Sequence, residues 1–180
     1  MSSLRPRLIG LTGPNGAGKG EAAAFFAARG YAHRSLSDII REELAAAGLP
    51  ADRDHLIAKG NELRRKGGPD ILARRLLKLV TGPTVIDSIR NPAEVERLRK
   101  EDGFILLAVD APAPLRFERA RRRGRDESAA TLEEFLRKEA EERSSNPAAQ
   151  QIHRCFEMAD AVVSNDGTLE ELHSRLEAFL

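Results

Sequence analysis

The stretch Gly13-Pro14-Asn15-Gly16-Ala17-Gly18-Lys19-Gly20 has the residue types and spacing of a loop that binds phosphate. Glycines let such a loop turn its backbone N–H groups inward, the helix start behind it adds a positive dipole end, and Lys19 reaches the terminal phosphates of a nucleotide. The apolar run Leu8-Ile9-Gly10-Leu11 precedes the loop and a helical pattern from Glu21 to Arg29 follows it, which is the strand, loop and helix order the chemistry requires. An ordinary glycine-rich turn would leave Lys19 without a role. The candidate nucleotide ligands are therefore Gly13, Asn15, Gly16, Ala17, Gly18, Lys19, Gly20 and Glu21, with ATP and Mg²⁺ as the expected cofactors. The usual loop places Ser or Thr after the lysine to bind Mg²⁺, whereas this chain has Gly20 and then Glu21. Glu21 either approaches the metal through water or is an acid in the first turn of a helix, stabilised by the dipole.

Further candidates stand where strands end, since ligands of an open parallel sheet bind beyond the carboxyl ends of its strands. Asp87 follows the apolar Val85-Ile86, the position of a carboxylate that orients Mg²⁺ or its water shell; a local cap or ion pair is the alternative. Arg90 lies three residues further on, close enough to enter the same crevice. Ser37-Asp38-Ile39-Ile40-Arg41 opens a helix after a weak strand, and Arg41 is either a phosphate ligand or part of a solvated helix face. After Asp110 comes the densest charge run in the chain, Arg116, Arg119, Arg121, Arg122, Arg123 and Arg125. A helix C-terminus attracts cations on dipole grounds alone, but their number exceeds what capping needs. A nucleic-acid patch is the competing reading, and the run holds one aromatic, Phe117, rather than a series interleaved with its arginines. His33, His55, His153 and His173 are scattered without metal-ligand spacing, and Cys155 stands alone.

These side chains need a scaffold. At 180 residues the chain suits one three-layer α/β domain and is too short for an ATPase with appended modules. With 29 Lys and Arg against 28 Asp and Glu, no overall charge bias points to nucleic acid or an anionic membrane. The single cysteine and the lack of an early apolar segment point to the cytoplasm. Short apolar runs alternate with amphipathic stretches, which predicts a five-stranded parallel sheet with helices on both faces. The strand candidates are Arg7–Thr12, Tyr31–Ser35, Thr84–Ser88, Gly103–Asp110 and Ala161–Ser164. The core is expected in 1–36, 81–115 and 159–180, a helical acceptor insert in 37–80, and a lid with its helices in 116–158. Within the insert the patterns run over Ser37–Gly48 and Ala51–Val80, broken around Gly67-Gly68-Pro69. Asn91-Pro92-Ala93-Glu94, Thr131-Leu132-Glu133-Glu134 and Thr168-Leu169-Glu170-Glu171 read as helix starts.

Gly18-Lys19-Gly20 resembles the loop of adenylate kinase and its nucleoside monophosphate kinase relatives, where Gly-Lys-Gly-Thr is typical. Those kinases carry a Thr-Gly-Asp-x-x-Arg segment that Asp38 and Arg41 match in spacing. The resemblance implies a P-loop NTPase fold in which Arg41 and Arg90 clamp an acceptor phosphate and an Arg-rich lid, with Arg119 and Arg125 foremost and Arg123 next, stabilises the transferring phosphoryl group. Arg64, with Arg53, His55, Asn61 and Arg65, would help form the acceptor pocket. The segment Ala159 to Leu172 looks like the ending of dephospho-coenzyme A kinase, which would place Asn165, Asp166 and Gly167 near the adenine base. Over most of its length the chain resembles a group of small AAA-type ATP-binding P-loop proteins with a Gly-Lys-Gly-Glu loop, matched by Asp87-Ser88-Ile89-Arg90-Asn91 and Glu94-Val95-Glu96.

The expected activity is transfer of the γ-phosphoryl group of Mg·ATP to a small phosphate-bearing acceptor, a nucleoside or deoxynucleoside monophosphate. Lys19 would bind phosphates and Asp87 would order the metal shell through water. One alternative is phosphorylation of a hydroxyl with Asp38 as base, as in dephospho-coenzyme A kinase. Another is a slowly hydrolysing nucleotide switch. The expected partner is a small nucleotide acceptor, with neither nucleic acid nor membrane involved.

Overall fold

The computed structural model describes residues 7–124, 129–141 and 143–180. The chain runs β1 (Leu8–Thr12), α1 (Lys19–Ala27), β2 (Ala32–Ser35), α2 (Leu36–Ala46), α3 (Arg53–Gly67), α4 (Ile71–Leu77), β3 (Thr84–Asp87), α5 (Pro92–Leu98), β4 (Phe104–Asp110), α6 (Ala113–Arg122), α7 (Leu132–Glu141), α8 (Ile152–Glu157), β5 (Ala161–Ser164) and α9 (Leu169–Glu177). The strands pair in the order β2-β3-β1-β4-β5, and every pairing is parallel. Helices cover both faces, the arrangement of the P-loop NTPase kinases. The chain leaves β1 for β2 and β3 on one side and crosses to β4 on the other, so the loop after β1 stands where strand order reverses. In open α/β sheets that is where ligands bind.

Each central strand sends alternate residues to opposite faces, and both faces are covered, so its sequence is apolar without alternation. Leu8, Ile86 and Leu106 pack with α2, α4, α5 and α8 through Leu36, Leu44, Leu72, Leu76, Leu98 and Cys155. Ile9, Leu11, Val85, Leu107 and Val109 face α1 and α9 and meet Phe25, Phe26, Leu172 and Leu176. The strand β2 begins one residue later than predicted, at Ala32, and Ala32, His33 and Arg34 are exposed. Its weak signal has a physical cause: an edge strand need not be apolar, and polar side chains there discourage further pairing.

The expected break in the insert occurs between α3 and α4, at Gly68 to Asp70. Asp52 caps α3 by accepting the His55 amide at 2.9 Å. A buried ion pair ties α3 of the insert to α5. Glu94, in the first turn of α5, accepts Arg64 Nε at 2.9 Å and Nη2 at 2.8 Å on Oε1, while its Oε2 accepts the amides of Arg90 and Asn91 at 2.9 and 3.0 Å. One carboxylate thereby completes the helix cap, fixes the corner after β3 and holds α3. Both side chains are buried, at 1% and 0% exposure. Among the described residues no helix is long and apolar enough to cross a membrane.

Removing one partner of a buried pair strands the other charge away from water. Glu94→Ala and Arg64→Ala are each expected to lower the free energy of unfolding by about 3–5 kcal/mol in urea titrations; losses below about 1 kcal/mol would contradict this role.

Candidate functional site

The phosphate loop is built from the outside. Loop N–H groups face inward only if the intervening carbonyls find donors on the far side. Asn15 O accepts Arg116 Nη1 at 3.1 Å. Ala17 O accepts Asn165 Nδ2 at 2.8 Å and the more distant Arg119 Nη1 at 3.5 Å. The glycines permit these close approaches: a Cβ on Gly16 would collide with the Arg116 carbonyl, and one on Gly18 with the Asn165 amide, and both have positive φ, 79° and 104°. Gly18 is also the N-cap of α1 and supplies no capping side chain, which leaves first-turn N–H groups for an anion.

Lys19 begins α1 and folds back over the loop, donating to Gly13 O at 2.7 Å and Pro14 O at 2.9 Å. Its pKa is lowered to about 7, chiefly by burial and then by the nearby charges of Arg90, Arg123 and Arg116, against the opposing pull of Asp87. These groups therefore lie within electrostatic reach of the Lys19 ammonium. Cations outnumber the one carboxylate among them, which favours an anionic ligand.

Asp87 ends β3 beside Ser35 of β2 in the parallel register. Its Oδ2 lies 2.7 Å from His33 Nε2, and its Oδ1 accepts the Ser88 hydroxyl at 3.0 Å. Ser88 is the single non-glycine residue with positive φ among the described residues, at 60°. That conformation costs energy for a residue with a Cβ and occurs mainly where the surroundings enforce it. Here it turns the hydroxyl towards Ser35 Oγ at 3.0 Å, which in turn lies 2.8 Å from Ser37 Oγ. Arg41 Nη1 donates to Ser37 Oγ at 2.7 Å and to Asp38 Oδ1 at 3.2 Å. A continuous hydrogen-bonded chain thus joins Arg41, on the insert, to Asp87, at the phosphate loop.

Arg90 occupies the fixed corner. Its carbonyl accepts the Gln151 amide at 2.6 Å and its Nη1 donates to Gln150 Oε1 at 3.2 Å. Asn91 Nδ2 holds the same returning segment through Pro147 O at 2.7 Å and Ala149 O at 2.9 Å.

Several expected residues take other places. Arg64 is withdrawn from any pocket surface by its buried pair with Glu94, and its Nη1 and Asn61 Oδ1 are buried without hydrogen-bond partners among the described residues. Arg119 braces the loop from outside, donating to Asn165 O at 2.8 Å. Arg123, one helical turn on, is the arginine of that run whose charge acts on Lys19 together with buried Arg116. Arg125 lies outside the described residues. Asn165 is buried against the loop, so its amide is committed to Ala17. Gly167 makes room for Glu171, whose carboxylate accepts the Thr168 amide and would collide with a Cβ there. Glu21 is exposed in the first turn of α1, the dipole position. A side chain on Gly20 would meet nothing within 4 Å, so packing does not forbid the absent hydroxyl. Asp38 and Arg41 are half-exposed, at 60% and 49% of their side chains.

The donor set fits magnesium in one way. Among the described residues no group of three or more His, Cys, Asp and Glu could hold a metal. Mg²⁺ usually keeps several waters and is bound by one or two carboxylates plus nucleotide phosphates. Asp87 can supply that carboxylate through water.

The family model described as an AAA domain matches residues 9–146. The chain belongs to this AAA-domain family. It is 35% identical over 179 residues to the UPF0200 protein PH1008 of Pyrococcus horikoshii, covering 94% of each chain. Among solved structures, shikimate kinase from Acinetobacter baumannii in complex with shikimate superposes with a TM-score of 0.60 at 18% identity, over 97% of this chain and 92% of that one. TT1252 from Thermus thermophilus does so with a TM-score of 0.59 at 24% identity, over 97% and 96%. At those identities the two structures establish the kinase-type P-loop fold and nothing finer.

The low pKa of Lys19 gives the site a pH signature. Nucleotide phosphates favour its ammonium form, so above pH 7, where the free site has lost that proton, binding must take one up. ATP affinity is expected to be greatest below pH 7 and to fall by up to about tenfold per pH unit above it, with the slope lost in Lys19→Met. Titrations between pH 6 and 9 check this, and parallel profiles for the two proteins would contradict it.

Proposed function

We propose that the protein transfers the γ-phosphoryl group of Mg·ATP to a small phosphate-bearing acceptor, a nucleoside or deoxynucleoside monophosphate. The observation that carries this reading is the chain of contacts from Arg41 through Ser37, Ser35 and Ser88 to Asp87. It joins an insert-side guanidinium to a carboxylate facing the cationic phosphate loop. A nucleotide-binding site serving hydrolysis alone has no use for the acceptor side of that chain.

The inward N–H groups of the loop and α1 would bind the β- and γ-phosphates, with Lys19 exchanging its carbonyl partners for phosphate oxygens. Magnesium, when bound with the nucleotide, neutralises charge on the phosphates; Asp87 would order its water shell. Arg90 and Arg123 face the position where charge builds up, and donors fixed in advance stabilise it without reorganisation. Arg41 would take the acceptor phosphate. An acceptor phosphate is ionised at neutral pH and needs no general base.

A second reading keeps the fold and changes the acceptor. Three serine hydroxyls beside the exposed Asp38 suit an acceptor that carries hydroxyl groups, and Asp38 would then remove the proton of the attacking one.

A coupled assay of ADP release over nucleoside monophosphates, deoxynucleotides and dephospho-coenzyme A separates these. For a monophosphate kinase, Asp38→Asn is expected to retain turnover within about threefold, while Arg41→Ala raises the acceptor KM by about 10- to 100-fold and leaves the ATP KM unchanged. Loss of several orders of magnitude in turnover by Asp38→Asn, with binding intact, would select the hydroxyl acceptor. ATP binding without stimulation by any acceptor would select a nucleotide switch.

A further inference from the structure

We propose that Arg116 is a positioning residue that couples helix α7 to the phosphate loop, so that the loop holds its nucleotide-ready form while α7 is docked. The inference rests on nucleotide binding at this loop and concerns a residue that no phosphate needs to touch. Arg116 is buried at 7% exposure, whereas Arg119 is half-buried and Arg121, Arg122 and Arg123 are exposed. Four of its five N–H groups are spent on three different parts of the molecule. Nε donates to Ala111 O at 3.0 Å, at the exit from β4. Nη1 is shared between Asn15 O of the loop at 3.1 Å and Glu139 Oε1 of α7 at 2.7 Å. Nη2 completes a bidentate pair with Glu139 Oε2 at 3.1 Å.

A guanidinium is planar and rigid, so the direction of its fork is set by the carboxylate that grips it. With Glu139 in place, Nη1 points at Asn15 O and holds that carbonyl away from the phosphate side. Without it the fork is held only at Nε by Ala111 O, and Nη1 is no longer aimed at the carbonyl it kept outward. The loop has no slack to compensate, because Gly16 already lies against the Arg116 backbone with no room for a Cβ. Elsewhere α7 rests on α6 through Phe135, whose ring lies 5.7 Å from that of Phe117 and 5.6 Å from the Arg116 guanidinium. A change in the docking of α7 therefore reaches the loop through one side chain. By reciprocity, a nucleotide that fixes the loop should also steady α7.

Two variants test this. Glu139→Gln is nearly isosteric at a position one-third exposed and keeps α7 packed. Arg116→Lys keeps the charge but cannot reach Asn15 and grip Glu139 with a fork. Both are expected to bind ATP about tenfold more weakly, through faster dissociation of a fluorescent ATP analogue. In the unmodified protein, ATP should slow amide exchange both in 13–20 and in 132–141; in Glu139→Gln it should protect 13–20 alone. The proposal is overturned if both variants bind ATP within twofold of the unmodified protein, whatever happens to their melting temperatures, or if ATP protects 132–141 equally in Glu139→Gln. Failure of the unmodified protein to bind ATP would instead remove the proposed function, and the coupling with it.

Discussion

A phosphate loop presents its N–H groups inward only when its carbonyls are satisfied outward, and that requirement organises this molecule. The carbonyls of Asn15 and Ala17 are held by Arg116, Arg119 and Asn165, which come from α6 and from the end of β5. Those elements reach the loop because β4 and β5 lie on one side of β1 in a parallel sheet. An unsatisfied buried carbonyl would cost more than one such bond returns, so the bracing is a condition for the cradle. Lys19 shows the other side of the same constraint. Before nucleotide binds, its amine occupies two carbonyls of its own loop, and its depressed pKa records how poorly a charge is accommodated there.

The opposite half of the site has a second fixed point. Glu94 gathers the corner after β3, the first turn of α5 and helix α3 into one buried set of hydrogen bonds. A buried ion pair is weak evidence for stability, since an apolar replacement can be equally stable. Its value here lies in direction: the corner that carries Arg90 cannot move without Arg64, and the strained Ser88 is kept facing Ser35. The segment 147–151 binds to the same corner through Arg90 and Asn91. Helical insert, phosphate loop and returning chain therefore share two small anchors.

The two anchors differ in how far the chain reveals them. The loop is legible because its determinants are contiguous: an apolar strand, glycines at set intervals, a lysine and a helix start. Asp87 and Arg90 are legible by position, beyond the end of an apolar run. The braces are not, because their partners are backbone carbonyls far away in sequence, and a carbonyl has no residue type. Arg116 and Arg119 thus read as two more charges in a basic run, and Asn165 as a residue near a base. Arg64 looked like a pocket residue because nothing in the chain pairs it with Glu94, thirty residues away. His33 meets Asp87 only through the pairing of β2 with β3, and β2 is too polar to announce itself.

If the braces hold the loop open, nucleotide should displace Lys19 alone. A crystal structure with a non-hydrolysable ATP analogue and magnesium tests it most directly. Lys19 Nζ is expected to leave Gly13 O and Pro14 O for phosphate oxygens, while Asn15 O and Ala17 O keep Arg116, Arg119 and Asn165. Nucleotide bound elsewhere, or a loop whose carbonyls have turned inward and left those donors, would contradict it.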